Sequence, residues 1–169
     1  PNRRPRSDGL IGVASIRTSS SSSPSGASTC GSSVTFTEAG NAVVIAPNLS
    51  LSDADDTQLN GAQVQISTGF SGGDILSYTA VSGISGSYNQ SAGLLSFSGS
   101  ASVADYQNLL RSITYSSSSA ALPSNDSRTI SWSVLDANSD GLTPQRSAAV
   151  TSTVTVNGIN QAPLINVLP

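Results

Sequence analysis

Three aspartates crowded into one short segment are the residues of this chain best suited to chemistry. Asp53, Asp55 and Asp56 follow a strand-like run that ends at Leu51. Because like charges a few ångströms apart repel, such a turn must either spread its carboxylates into solvent or hold a cation. Oxygen ligands at this spacing suit Ca2+. An ordinary solvated turn is the alternative, since aspartate is favoured in turns through hydrogen bonds to the backbone.

The composition argues against an enzyme. The chain has no histidine and no lysine, and Cys30 is its single cysteine. A Ser-His-Asp triad, a Schiff-base lysine and a cysteine-rich zinc site are therefore all excluded. Glu38 is the only glutamate, and no second carboxylate is placed to pair with it as in a glycosidase. We expect a non-enzymatic protein.

The low charge content indicates an extracellular or cell-surface protein. Charged residues make up 10% of the chain, well below the usual quarter, and serine, threonine, glycine, asparagine and alanine replace them. The net charge of −3 argues against a nucleic-acid partner. No apolar run approaches the roughly 20 residues of a membrane span. Neighbouring copies of the same chain are suitable partners, because few charges would need desolvation.

The short apolar runs and the Greek-key-sized connections between them predict an all-β sandwich with seven to nine strands. We expect an N-terminal extension and serine-rich linker over 1–30, the sandwich over 31–160, and a C-terminal linker over 161–169. The most secure strands are Arg128–Leu135 and Ala148–Val156, because both alternate and are rich in β-branched or aromatic residues. Trp132 falls on the apolar side of its run and is expected in the core.

One window of the sequence has helical rather than strand periodicity. Between residues 102 and 111 the apolar side chains recur at steps of three and four, and Ser102 with Asp105 forms a plausible N-cap. We therefore predict one short helix that joins two strands.

An ordered series of short motifs over about residues 33 to 163 resembles the cadherin-like tandem repeats of large bacterial surface and adhesin proteins. The motifs are Phe36-Thr-Glu-Ala-Gly40, Leu51-Ser-Asp-Ala-Asp55, Gly73-Asp-Ile-Leu76, Gly86-Ser-Tyr-Asn89, Ala104-Asp-Tyr-Gln107, Leu110-Arg-Ser-Ile-Thr-Tyr115 and Val154-Thr-Val-Asn-Gly-Ile-Asn-Gln-Ala-Pro163. The resemblance implies an immunoglobulin-like sandwich that is one link in an extracellular string.

The resemblance also implies Ca2+ at the junctions between successive domains. By analogy Glu38 matches the acid near the first strands, Asp53 and Asp55 match the acids of the second loop, and Asn157 and Asn160 match the interdomain linker. Asp56 and Asp136 complete the set of candidate metal ligands. The linker carries Asn and Gln where the calcium-binding pattern carries Asp, so the site would be weak, and solvated turn acids remain the rival interpretation. Asp136 also fits an ordinary hairpin turn.

Apolar segments at both ends of the chain favour a second function, a self-assembling subunit of an extracellular filament or sheath. In this hypothesis a terminal strand pairs with an exposed sheet edge of the next copy to give a homopolymer. The candidate assembly residues are Leu10, Ile11, Val13 and Ile16 near the N-terminus, and Leu164, Ile165 and Val167 near the C-terminus.

Overall fold

The structure is a computed structural model that describes residues 15–18, 32–53, 56–119, 122, 125–137 and 144–159. Within these residues the chain forms eleven strands and one helix. In chain order they are β1 (Ser15–Thr18), β2 (Ser33–Thr37), β3 (Val43–Val44), β4 (Leu49–Ser52), β5 (Gln58–Thr68), β6 (Asp74–Ser77), β7 (Ser85–Asn89), β8 (Leu94–Ser102), α1 (Val103–Arg111), β9 (Thr114–Ser117), β10 (Asp126–Asp136) and β11 (Val150–Asn157).

Most of the strands belong to two sheets that pack as a β-sandwich. The larger sheet has the order β2-β11-β10-β5-β8-β7 and the smaller has the order β3-β9-β6, while β1 and β4 form a separate pair. Neighbouring strands are antiparallel except β2 and β11, which are parallel. The predicted all-β sandwich is confirmed. The described residues contain more strands than the seven to nine expected because several are very short, as β3 is with two residues.

Alternation along β10 explains how the larger sheet covers the core. Arg128, Ile130, Trp132 and Val134 are all buried, whereas the residues between them are partly accessible. Since successive side chains of a strand point to opposite faces, this pattern directs one face of β10 into the sandwich. The indole of Trp132 donates to the Ser152 hydroxyl at 3.0 Å, which satisfies its buried N–H. The core position predicted for Trp132 is confirmed.

The predicted helix is confirmed as α1, which connects β8 to β9. Its N-cap is Ser102, whose hydroxyl accepts a hydrogen bond from the Asp105 amide at 3.0 Å. This bond satisfies one of the amides that the first turn of a helix leaves without a partner. Tyr106, Leu109 and Leu110 form the buried face of the helix. No helix in the described part of the chain is long and apolar enough to cross a membrane.

The N-terminal extension contributes one strand to the described structure. Of the N-terminal assembly segment suggested by the sequence, between Leu10 and Ile16, the structure describes only Ser15 and Ile16, which belong to β1 and pair with β4. Residues 10 to 14 and the C-terminal linker over 161–169 lie outside the described residues.

Candidate cation sites at opposite ends of the sandwich

Glu38 lies directly after β2 and is tied to the end of β11. It is 3% exposed, and its own amide donates to the Asn157 carbonyl at 2.9 Å. Its Oε2 accepts a hydrogen bond from the Ile159 amide at 2.8 Å. The side chain therefore holds the chain as it leaves the last strand, which is the segment expected to link this domain to the next.

The second carboxylate oxygen of Glu38 is the unusual atom at this end. Oε1 is shielded from solvent and has no hydrogen-bond partner within the described residues. A buried carboxylate oxygen without a partner is destabilising, because burial removes the water that would otherwise solvate it. Such an oxygen is suited to a cation that approaches from outside the sandwich, and Ca2+ is bound by ligands of this type.

The aspartate turn between β4 and β5 carries the second group of shielded carboxylates. Solvent reaches neither carboxylate oxygen of Asp53, and Oδ1 of Asp56 is buried without a hydrogen-bond partner in the described part of the chain. Asp55 lies outside the described residues. These oxygens of Asp53 and Asp56 do not project into water, while the cation site and the solvated turn both stay predictions for the segment as a whole.

Asp136 ends β10 and closes a hairpin. Its Oδ1 accepts a hydrogen bond from the Gln145 amide at 3.0 Å, and its own amide donates to the Gln145 carbonyl at 3.1 Å. These bonds account for the burial of Asp136 through local backbone contacts. These contacts fit the hairpin interpretation of Asp136, and its role as a metal ligand stays a prediction.

Strand register places the two groups of carboxylates at opposite ends of the sandwich. Val156, near the end of β11, pairs with Asp126 at the start of β10. β10 then runs the length of the sheet to Asp136, which pairs with Leu59 near the start of β5. At about 3.3 Å per residue, the ten steps along β10 separate the two ends by roughly 33 Å. Glu38 and Asn157 belong to one end, and the aspartate turn and Asp136 belong to the other.

The predicted ligands therefore do not form one site within this chain. Among the described residues no group of three or more acidic, cysteine or histidine side chains is placed to hold a metal. Asn160 lies outside the described residues, so the linker half of the predicted site is represented by Asn157 alone. The candidate metal ligands remain a prediction, and the structure divides the described ones between the two ends of the sandwich.

The predicted assembly residues fall almost entirely outside the described residues. Ile16 alone is placed, in β1, where it pairs with Leu51 of β4. The others, which lie outside, are Leu10, Ile11, Val13, Leu164, Ile165 and Val167.

A buried ion pair across the two sheets was not singled out from the sequence. Arg128 of β10 donates from Nε to Asp74 Oδ2 of β6 at 2.7 Å, and the two side chains are 1% and 0% exposed. Tyr115 of β9 donates its hydroxyl to Asp74 Oδ1 at 2.7 Å, and its ring meets Phe36 edge-on at 5.3 Å. Asp126 also accepts from Arg128 and is exposed to 41%. The network joins both sheets beneath the end that carries Glu38.

Electrostatic effects in this network follow from burial and from the ion pair. Burial is the main reason that the pKa of the Tyr115 hydroxyl is raised far above its ordinary value, and the hydrogen bond to Asp74 adds to this increase. The hydrogen bond from Arg128 lowers the pKa of Asp126. Burial alone would lower the pKa of Arg128, but its bonds to Asp126 and Asp74 outweigh that effect and raise it. The raised pKa of Tyr115 favours its neutral hydroxyl, and the pKa shifts of Asp126 and Arg128 favour the charged forms of those two side chains.

The sequence contained a signal for this network. Arg128 has the same parity as Ile130, Trp132 and Val134, so the alternation that predicted a buried Trp132 also placed an arginine on the apolar face. Buried arginines are almost always paired, which predicts a buried acid in the facing sheet.

Comparison with known proteins gives one similarity. A stretch of 119 residues, 67% of this chain, is 30% identical to halomucin of Haloquadratum walsbyi, and it spans about 1% of the length of that protein. No family model matches the chain. No solved structure matches it. The β-rich fold is compatible with the cadherin-like resemblance, which remains a prediction.

Proposed function

We propose that this chain is a non-enzymatic structural module of a large extracellular surface protein, joined end to end to neighbouring modules through a divalent cation. The observation that carries the proposal is the placement of shielded carboxylate oxygens at both ends of one sandwich. Glu38 Oε1 lies at one end and Asp56 Oδ1 at the other, and both lack a hydrogen-bond partner in the described residues.

The path of the chain supports a head-to-tail arrangement. In β1, Ser15 pairs with Ser52, so the chain enters the described structure beside the aspartate turn. β11 runs in the opposite sense to β10 and ends at Glu38, so the chain leaves at the far end. In a string of such modules, the Glu38 end of one module would meet the aspartate turn of the next. Each junction would then combine the two halves that a single module keeps apart.

The similarity to halomucin supports a place in a much larger protein. The aligned segment covers about 1% of halomucin, so a sequence like this one is a small part of that chain. A surface location follows as part of the proposal, together with the low charge content of the chain. A cation at each junction would stiffen joints that otherwise swing, because contacts between domains of one chain are usually small.

Calcium binding is tested by thermal unfolding and by the shape of a tandem of two copies. With a Kd near 0.1–1 mM, as in extracellular modules, 10 mM Ca2+ would stabilise a complete junction by about 1.4–2.7 kcal/mol. That gain raises the melting temperature of the tandem by roughly 3–10 °C over the value in EDTA. Small-angle scattering should show a more extended, stiffer particle with Ca2+.

Two variants make this test specific. Glu38→Gln should abolish the response to Ca2+, because it removes the charge at one half of the junction. Asp105→Asn serves as the matched control, since its carboxylate already accepts a bond from the Ser102 hydroxyl at 2.7 Å within the helix cap. An unchanged melting temperature and an unchanged scattering profile of the unmodified tandem at 10 mM Ca2+ would disprove the cation-joined module.

A further inference from the structure

Side chains of α1 occupy one backbone edge of β4. The Gln107 side-chain oxygen accepts a hydrogen bond from the Leu51 amide at 2.9 Å, and Arg111 donates from Nε to the Leu49 carbonyl at 2.6 Å. Gln107 and Arg111 lie one helical turn apart, so they reach alternate residues of the strand. This edge of β4 is therefore closed by the helix rather than by another strand.

The opposite edge of β4 is closed by β1. Because an amide has one hydrogen, the Leu51 N–H bound by Gln107 cannot also pair with β1. Backbone groups of alternate residues point to opposite sides of a strand, so the ladder to β1 must run through Ser50 and Ser52. In the observed register the residues opposite Ser52 and Ser50 are Ser15 and Arg17. We refer to Ser15–Thr18 as the arm and to the Ser50 and Ser52 edge of β4 as the slot.

The chain between the arm and the sandwich is longer than its path requires. Thr18 lies opposite Leu49, and Ser32 donates its hydroxyl to the Ile45 carbonyl, only four residues from Leu49. The two points are thus on the order of 20 Å apart or less, counting about 3.3 Å per residue and about 5 Å per strand pair. The intervening chain could reach roughly 46 Å if fully extended. A connection of this reach allows the arm to leave its own slot for that of a neighbour.

We propose that the slot also accepts the arm of a second copy of this chain, in the register that the arm adopts in its own slot. An arm makes the same backbone contacts in its own slot and in the slot of another copy, so exchange loses no hydrogen bonds. The fraction of exchanged arms therefore depends on the protein concentration. A tethered arm has an effective concentration in the millimolar range, so exchange should become substantial when copies approach that density, as they would when crowded on a surface. The partner is thus another molecule of the same protein, and the interaction is strand addition to β4.

Disulfide trapping with single-cysteine variants tests the exchange in full-length chains that carry Cys30→Ser. In an antiparallel hydrogen-bonded pair the Cα atoms are about 5.5 Å apart, which is within disulfide range. Ser15→Cys and Ser52→Cys in one chain should form an internal bond at about 10 µM, where each arm stays in its own slot. Ser15→Cys in one chain mixed with Ser52→Cys in another can form the same bond only when an arm has exchanged.

The matched control pairs Ser15→Cys with Ser98→Cys, an exposed serine on β8 that does not face the arm. At about 1 mM protein, we expect the Ser15 and Ser52 mixture to give at least about fivefold more cross-linked dimer or oligomer than the control, and this excess should vanish near 10 µM. Arg17→Cys mixed with Ser50→Cys is an independent pair in the same register. No excess for either pair at 1 mM would disprove exchange, and failure of the internal bond would disprove the seating of the arm.

The slot lies beside the aspartate turn, so the exchange is distinguished from the cation-joined junction through the Glu38 half of that junction. Glu38 lies at the other end of the sandwich, so Glu38→Gln should leave the cross-linking yield unchanged while it removes the response to Ca2+. A loss of cross-linking in EDTA would show that the two interactions are one, and would overturn the arm exchange as a separate contact.

Discussion

Replacing Asp74 by asparagine should be among the most damaging single changes in this protein. In the native structure the two carboxylate oxygens accept three hydrogen bonds, from Arg128 Nε at 2.7 Å, the Ser71 amide at 2.8 Å and the Tyr115 hydroxyl at 2.7 Å. Asparagine has nearly the same shape but only one acceptor oxygen. Its NH2 group could donate to the Tyr115 hydroxyl, but the buried guanidinium of Arg128 loses its charge partner.

The expected cost follows from the burial of both charges. Removing one partner of a buried ion pair leaves the other uncompensated, which typically costs about 3–5 kcal/mol. For a chain of this length, such a loss lowers the melting temperature by roughly 6–20 °C. Asp126 still compensates part of the positive charge of Arg128. Its side chain is 41% exposed, however, so it cannot replace the partner that Arg128 has inside the core.

Chemical unfolding in guanidinium chloride measures this loss, with the midpoint shifted and the slope preserved if the native state stays compact. Asp126→Asn is the matched control, because it also removes a carboxylate from Arg128 but at the surface, where ion pairs contribute little. If Asp74→Asn were no more destabilising than Asp126→Asn, the buried pair would not hold the two sheets together as we argue.

Two further predictions concern the backbone and the response to alkaline pH. Gly69 has a φ of +76°, and an added Cβ would lie 2.2 Å from the Ser127 carbonyl oxygen, so Gly69→Ala should cost at least about 1–2 kcal/mol in thermal unfolding. Gly72→Ala, where nothing lies within 4 Å of an added Cβ, should leave the melting temperature unchanged, and equal effects of the two would contradict the geometry. Burial raises the pKa of Tyr106 to about 12 from its ordinary value of 10.0, and the pKa of Tyr115 is raised in the same direction. Because the unfolded chain ionises first, stability is fully present below pH 10 and is lost as the pH rises towards 12, and a flat urea midpoint from pH 9 to 12 would refute this.

Local patterns were sufficient to predict most elements of this fold. The alternation through Trp132 and the capping signal at Ser102 each depend on a few neighbouring residues, and β10 and α1 form where those residues predict them. The sequence did not predict which strands would pair, because register depends on contacts between distant segments.

The candidate sites also depend on strand pairing, which the sequence did not predict. The carboxylates of Glu38 and Asp56 were selected by residue type, but only strand register shows that they lie at opposite ends of the sandwich. The pairing of Arg128 with Asp74 joins residues 54 positions apart. The alternation along β10 placed Arg128 on the apolar face of the strand. Which residue pairs with Arg128 depends instead on how the two sheets face each other.

The position of β11 between β10 and β2 has a mechanical consequence for a protein pulled from both ends. Tension applied beyond Ile159 would draw β11 along its own axis, against hydrogen bonds to β10 on one side and β2 on the other. A strand pulled along its axis must slide past both neighbouring strands. The backbone hydrogen bonds on its two sides then bear the force together, instead of breaking one after another. The hydrogen bond from the Ile159 amide to Glu38 Oε2 is a further contact that must break at the point where the force is applied.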